Sequence, residues 1–153
     1  MSAPESSPAR PEVFRSVSHV PFPPAARGEL ILLIDDDVRI RDLLSTVLLN
    51  HGYRVVVART AEEGLRLFSA EADQFHLVIS DVHLPNLSGH TFAELIRPIR
   101  PDIRILLMSG LDGTTSPFGP GASRDPFLLK PFKPAALLDK IHRLLHPETV
   151  PTS

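Results

Sequence analysis

A chain of 153 residues, 42% of them hydrophobic and 22% charged, has the material for one globular core but not for two substantial ones. A formal charge of -2 and scattered arginines offer no basic face for nucleic acid, so direct nucleic-acid binding is not expected. The lack of cysteine removes disulfides and thiolate metal sites, and there is neither an apolar run of membrane-spanning length nor a signal-peptide pattern; the expectation is a cytoplasmic protein without membrane contact.

Residues 1–28 scatter Pro4, Pro8, Pro11, Pro21, Pro23 and Pro24 among Ser, Ala and Arg with no sustained apolar period. Such a segment buries too little surface to offset its ordering entropy and reads as a disordered Pro-rich tail. A domain is expected over 29–146, with 147–153 as a C-terminal tail. From Glu29 onward strand and helix patterns alternate. Leu30 to Ile34 is a buried strand, after which Asp37 caps a helix with Ile40, Leu43, Leu44, Val47 and Leu48 facing inward until His51-Gly52 ends it. Tyr53 to Ala58 is the second strand. Thr60 to Glu63 is a capping box that opens a helix with Leu65, Leu67 and Phe68 on its core face.

Phe75 to Ser80 is the third strand and delivers Asp81 into the Pro/Gly-punctuated loop Val82-His83-Leu84-Pro85-Asn86-Leu87-Ser88-Gly89. A helix from Gly89 to Arg97 carries Phe92, Leu95 and Ile96, and Ile103 to Met108 is the fourth strand. Residues 112–126 hold Gly113, Pro117, Gly119, Pro120, Gly121 and Pro126, breakers that leave room for one helical turn at most. Phe127 to Leu129 is a short fifth strand, and Pro134 opens a last helix with Leu137, Leu138, Ile141, Leu144 and Leu145 inward. This order predicts an α/β fold: a doubly wound, five-stranded parallel sheet with right-handed crossovers, in which the fourth of five helices is short or absent.

Two buried strands that each end in carboxylates are hard to explain as turn caps. Adjacent in a parallel sheet, they would bring Asp35, Asp36 and Asp81 to one edge, where mutual repulsion demands protonation or a cation. A hard divalent ion suits that demand, Mg²⁺ ahead of Ca²⁺ because few carboxylates converge. Ser109 and Lys130 end the next two strands and would add a hydroxyl and a point positive charge, parts suited to moving a phosphoryl group onto Asp81. Blander readings stand beside these: Ser109 as a turn residue, Lys130 as a solvated charge, His83 as a ring ligand for a transition metal, and His142 with His146, at i and i+4, as solvated histidines without a third ligand nearby.

The ordered set Ile34-Asp35-Asp36-Asp37, Asp81 with Pro85 and Gly89, Met108-Ser109-Gly110, and Lys130-Pro131-Phe132 resembles a response-regulator receiver domain from Leu30 to about Leu145. The resemblance implies a flavodoxin-like, receiver-type fold and a phosphoacceptor in two-component or phosphorelay signalling, not an enzyme. It implies that Asp81 takes a phosphoryl group from a phosphohistidine on a sensor histidine kinase or a histidine phosphotransfer protein. It also implies that Asp36 and Asp81 ligate Mg²⁺ directly, Asp35 largely through water and His83 through its backbone carbonyl. Ser109 and Lys130 would bind the phosphoryl oxygens, Lys130-Pro131 would be a cis peptide, and Phe127 would be an aromatic that reorients with phosphorylation, switching the binding of a downstream protein target. Two alternatives compete: a receiver-shaped interaction module that is never phosphorylated, and a haloacid-dehalogenase-type phosphohydrolase built on Asp35-Asp36-Asp37. Against the second, Arg39 stands where that motif carries Thr, and the late acidic pair is lacking. No output domain is expected after Ser153, and oligomeric state is left open.

Overall fold

The computed structural model describes residues 22–110 and 125–147. The expectations for residues 1–21, 111–124 and 148–153, including the short or absent helix between the fourth and fifth strands, lie outside the described residues.

Leu30–Ile34 forms β1 and Val38–Asn50 forms α1. They are followed by β2 at Arg54–Ala58, α2 at Ala61–Ala70, β3 at Leu77–Asp81 and α3 at Gly89–Ile96. The chain closes with β4 at Arg104–Ser109, β5 at Phe127–Leu129 and α4 at Pro134–Leu145. All strand pairs are parallel, in the order β2-β1-β3-β4-β5. The chain therefore steps from β1 outward to β2 and then back across β1 to β3, so the connections after β1 diverge at that strand. Every residue of β1 and of β3 is buried, which requires helices on both faces of the sheet.

Alternation along the strands sorts the core into two layers. Leu30, Leu32 and Ile34 face one way with Val78, Ile105 and Leu107, and meet Phe68 of α2 and Phe92 and Ile96 of α3. Ile31, Leu33, Leu77, Ile79, Leu106 and Met108 face the other way and meet Leu44 and Leu48 of α1 and Leu137, Leu138 and Ile141 of α4. One inward assignment fails, since Leu43 on α1 is 57% exposed, and Leu95 on α3 is also 44% exposed. On α1 the buried stripe is instead Arg41, Leu44 and Leu48, and on α3 the small Ala93 takes the buried position. A helix face is set by what stands opposite it, not by hydropathy alone.

The predicted caps form with one shift. The Asp37 carboxylate accepts the Arg39 amide, and the Thr60 hydroxyl accepts the Glu63 amide at 3.0 Å. The Glu63 carboxylate, however, accepts from the Arg59 amide at 2.8 Å rather than from Thr60 itself. Ser88 caps α3 by accepting the Thr91 amide, and a 3-10 turn at Ala72–Gln74 leads into β3, both unanticipated. Strand boundaries also move by one or two residues: β2 starts at Arg54, β3 runs Leu77–Asp81 and β4 runs Arg104–Ser109.

The end of the expected tail is part of the packed structure. Ala26 N–H donates to the His51 carbonyl at 2.8 Å, Gly28 N–H to the Gly52 carbonyl at 2.9 Å, and Arg54 Nε to the Gly28 carbonyl at 2.7 Å. Residues 24–28 therefore lie along the α1–β2 turn, because that turn offers backbone groups and Ala26 finds an apolar seat beside Tyr53. Gly52 makes the approach possible: with φ at +101° and the Ala26 carbonyl oxygen 2.6 Å from where a Cβ would stand, no side chain fits there.

Candidate functional site

Parallel strands that share a sheet present their C-terminal ends on one side, and the crevice there, beside the strand where connections diverge, is where such sheets gather ligands. β1 delivers Asp35 and Asp36 to that side, and its neighbour β3 delivers Asp81. One carboxylate oxygen from each lies within 4.8 Å of the other two, and among the described residues this is the one cluster of metal-ligating side chains so close. Asp35 and Asp81 are buried and Asp36 is exposed, so the cluster opens to water on one side. At that separation each ionised pair repels by on the order of 3 kcal/mol.

Lys130, just beyond β5, partly offsets the repulsion. Its Nζ donates to Asp81 Oδ2 at 3.3 Å and to Asp35 Oδ2 at 3.5 Å. The Lys130-Pro131 peptide is cis, as the resemblance implied. Backbone amides hold the carboxylates from the other side: Asp37 N–H donates to Asp35 Oδ1 at 2.9 Å, and His83 N–H to Asp81 Oδ1 at 3.2 Å. Burial nonetheless pushes the Asp35 carboxyl above the usual carboxylate range. The Asp37 amide and Lys130 work against that rise, and Asp81 works with it.

The fit to a hard divalent cation follows from the donor set. Ligands around an octahedral Mg²⁺ are about 3 to 4 Å apart, a spacing the three carboxylates need little adjustment to reach, and the exposed side leaves water positions free. Asp35, Asp36, Asp81 and Lys130 are thus brought together. Ser109 ends β4 next to β3, fully buried, but its hydroxyl donates to the Gly110 carbonyl at 3.3 Å rather than to the cluster. The His83 side chain is exposed. Phe127 at the start of β5 is half-buried, its ring 5.7 Å from that of His90.

Two supports of the site go beyond the sequence reading, one a residue it passed over and one a residue it named without this role. The first is Arg41, buried on α1, whose Nη1 donates to the Asp35 carbonyl at 2.8 Å and so holds the β1–α1 loop. The available signal was a charged residue on the stripe shared with Leu44 and Leu48. The second is Gly89, where a Cβ would come within 2.5 Å of the Asp81 carbonyl oxygen and 3.1 Å of Ser80 Oγ. Its lack of a side chain lets α3 start directly against the loop that carries Asp81.

Residues 31–142 match the family model of the response regulator receiver domain. This chain belongs to that family. The receiver is 39% identical over 116 residues to the response regulator protein FleR of Pseudomonas aeruginosa, an alignment covering 74% of this chain and 24% of FleR. Among solved structures it is similar to a receiver domain protein from Clostridium thermocellum, with a TM-score of 0.68, 29% identity and coverage of 77% of this chain and 94% of that one. It is also similar to the Vibrio cholerae chemotaxis protein CheY4, with a TM-score of 0.67, 31% identity and coverage of 77% and 99%. The chain spans between 24% and 51% of the length of the curated relatives it matches. Receiver domains are generally regulatory rather than catalytic and interact with histidine kinases and downstream targets. No described helix is long and apolar enough to cross a membrane.

Proposed function

We propose that this receiver is a cytoplasmic phosphoacceptor that takes a phosphoryl group onto Asp81 from a phosphohistidine on a sensor histidine kinase or a histidine phosphotransfer protein, and thereby changes its affinity for a downstream protein. The observation that carries the reading is the convergence of Asp35, Asp36 and Asp81 with the Lys130 ammonium bridging two of them.

In the step itself an Asp81 carboxylate oxygen attacks phosphorus, the N–P bond of the phosphohistidine breaks, and the departing imidazole takes up a proton. The Asp35, Asp36 and Asp81 carboxylates, with the His83 backbone carbonyl, would hold Mg²⁺. When bound, that ion would neutralise charge on the transferring phosphoryl oxygens. The chain's own groups do the positioning. The His83 amide fixes Asp81 Oδ1 and Lys130 sits on Oδ2, so the carboxylate is oriented before any donor arrives. Once Asp81 carries the phosphoryl group, its former partner Lys130 pairs with a phosphoryl oxygen. The Ser109 hydroxyl leaves the Gly110 carbonyl for another phosphoryl oxygen, and Phe127 enters the vacated space.

Incubation with acetyl phosphate and Mg²⁺ should give an acid-labile, hydroxylamine-sensitive label on the wild-type chain and none on Asp81→Asn. Full labelling of that variant removes Asp81 from the role. No labelling of the wild type, by acetyl phosphate or by phosphorylated kinases, would leave the chain as an unphosphorylated interaction module.

A further inference from the structure

The end of α4 holds chemistry that phosphotransfer leaves unused. His142 and His146 stand one helical turn apart with ring centroids 4.7 Å from each other. In the sequence they lack a third ligand; the fold supplies one from the far end of the domain. Oε2 of Glu29, the residue before β1, lies 3.5 Å from Nε2 of His146. That separation is long for a hydrogen bond. It matches the gap of about 3.4 Å between two ligand atoms that each sit about 2.0–2.2 Å from a tetrahedral ion.

Glu29 is oriented for the task. Its Oε1 accepts the Arg27 amide at 2.8 Å, which leaves Oε2 turned toward His146. A cavity of about 360 Å³ adjoins the three groups, lined also by Ala26 and Tyr53, and has room for an ion and its water. An ion there would sit off the C-terminal end of α4, where unpaired carbonyls favour positive charge. Among the described residues only the acidic cluster already has all its ligand atoms within 4.8 Å, so the Glu29, His142 and His146 set would close around an ion by side-chain rotation. Two imidazoles and one carboxylate suit Zn²⁺, whereas Mg²⁺ prefers oxygen throughout.

We propose that Glu29, His142 and His146 form a Zn²⁺ site, completed by water, that clamps the start of β1 to the end of α4. The site is independent of the phosphotransfer reading. The test is calorimetric titration of the full chain with Zn²⁺ while Mg²⁺ is kept saturating. One equivalent should bind, and His142→Gln, His146→Gln and Glu29→Gln should each weaken it by about tenfold or more, because even groups that only orient a ligand cost that much. Melting temperatures without Zn²⁺ verify that the variants fold; should Glu29→Gln not, the two histidine variants, on a solvent-facing helix end, carry the test. Absence of binding, or an affinity untouched by both histidine variants, overturns the proposal. So does binding that vanishes in Asp36→Ala, which would assign the ion to the acidic cluster.

Discussion

Lys130 is the side chain on which the resting site depends most. It is the ammonium that bridges Asp35 and Asp81, and its side chain is 26% exposed, so water screens the pair only in part. Lys130→Met should therefore destabilise the metal-free protein by about 1–3 kcal/mol, since two buried acids then face each other without a countercharge. Urea unfolding checks this, and saturating Mg²⁺ should restore part of the loss. A variant as stable as wild type without Mg²⁺ would show that the bridge contributes nothing. Tyr53 permits a second measurement at this scale. Burial, and then Glu29, raise its phenol from 10.0 to about 12. A folded-state value above the unfolded one gives stability that is fully present below pH 10.0 and lost as pH rises through about 12. The melting temperature should fall more steeply across that window in wild type than in Tyr53→Phe. Tyr53 is the sole tyrosine and the chain has no tryptophan, so phenolate absorbance reports its titration directly.

At the level of elements, the site depends on how closely α3 abuts the end of β3. Gly89 N–H donates to the Val82 carbonyl at 2.9 Å, and Ser88 caps the helix from the preceding position. A methyl group at position 89 would meet backbone, which cannot turn aside as a side chain can. Gly89→Ala should cost about 1–3 kcal/mol by overpacking and also slow labelling of Asp81, because relief comes only by moving the loop that carries it. Chemical denaturation and acetyl phosphate labelling of the same preparation test both halves. An alanine variant that matches wild type in stability and labelling would mean that the approach is looser than the geometry implies. Gly64 makes an instructive contrast: its Cβ would meet the Ile34 side chain, which is able to shift.

For the molecule as a whole, the acidic cluster is a cost of folding that a cation reverses. Asp35 and Asp81 are taken out of water together by the central strands, and any ion that binds only this assembled set stabilises the native state by linkage. At a Mg²⁺ concentration of about a hundred times the dissociation constant the gain is about 2.7 kcal/mol, enough to raise the melting temperature by several degrees. Asp36→Ala should abolish the increase and raise the metal-free melting temperature above wild type, because it removes one of the three repelling carboxylates. A full Mg²⁺ response in that variant would put the ion elsewhere.

The strand and helix periods, the caps at Asp37 and Thr60, and the carboxylates at two strand ends were legible in the sequence because each is local: a period, a spacing or a residue at a boundary. The gathering of Asp35, Asp36, Asp81 and Lys130 was also legible, since parallel strands end on one side whatever their order. What only the tertiary structure decided depends on groups far apart in the chain. Leu43 and Leu95 are exposed although apolar, and Arg41 is buried because the Asp35 carbonyl receives it. Residues 24–28 are held because the α1–β2 turn presents free backbone groups. Glu29 meets His146 only once β1 and α4 pack together, and no periodicity in either segment encodes that contact.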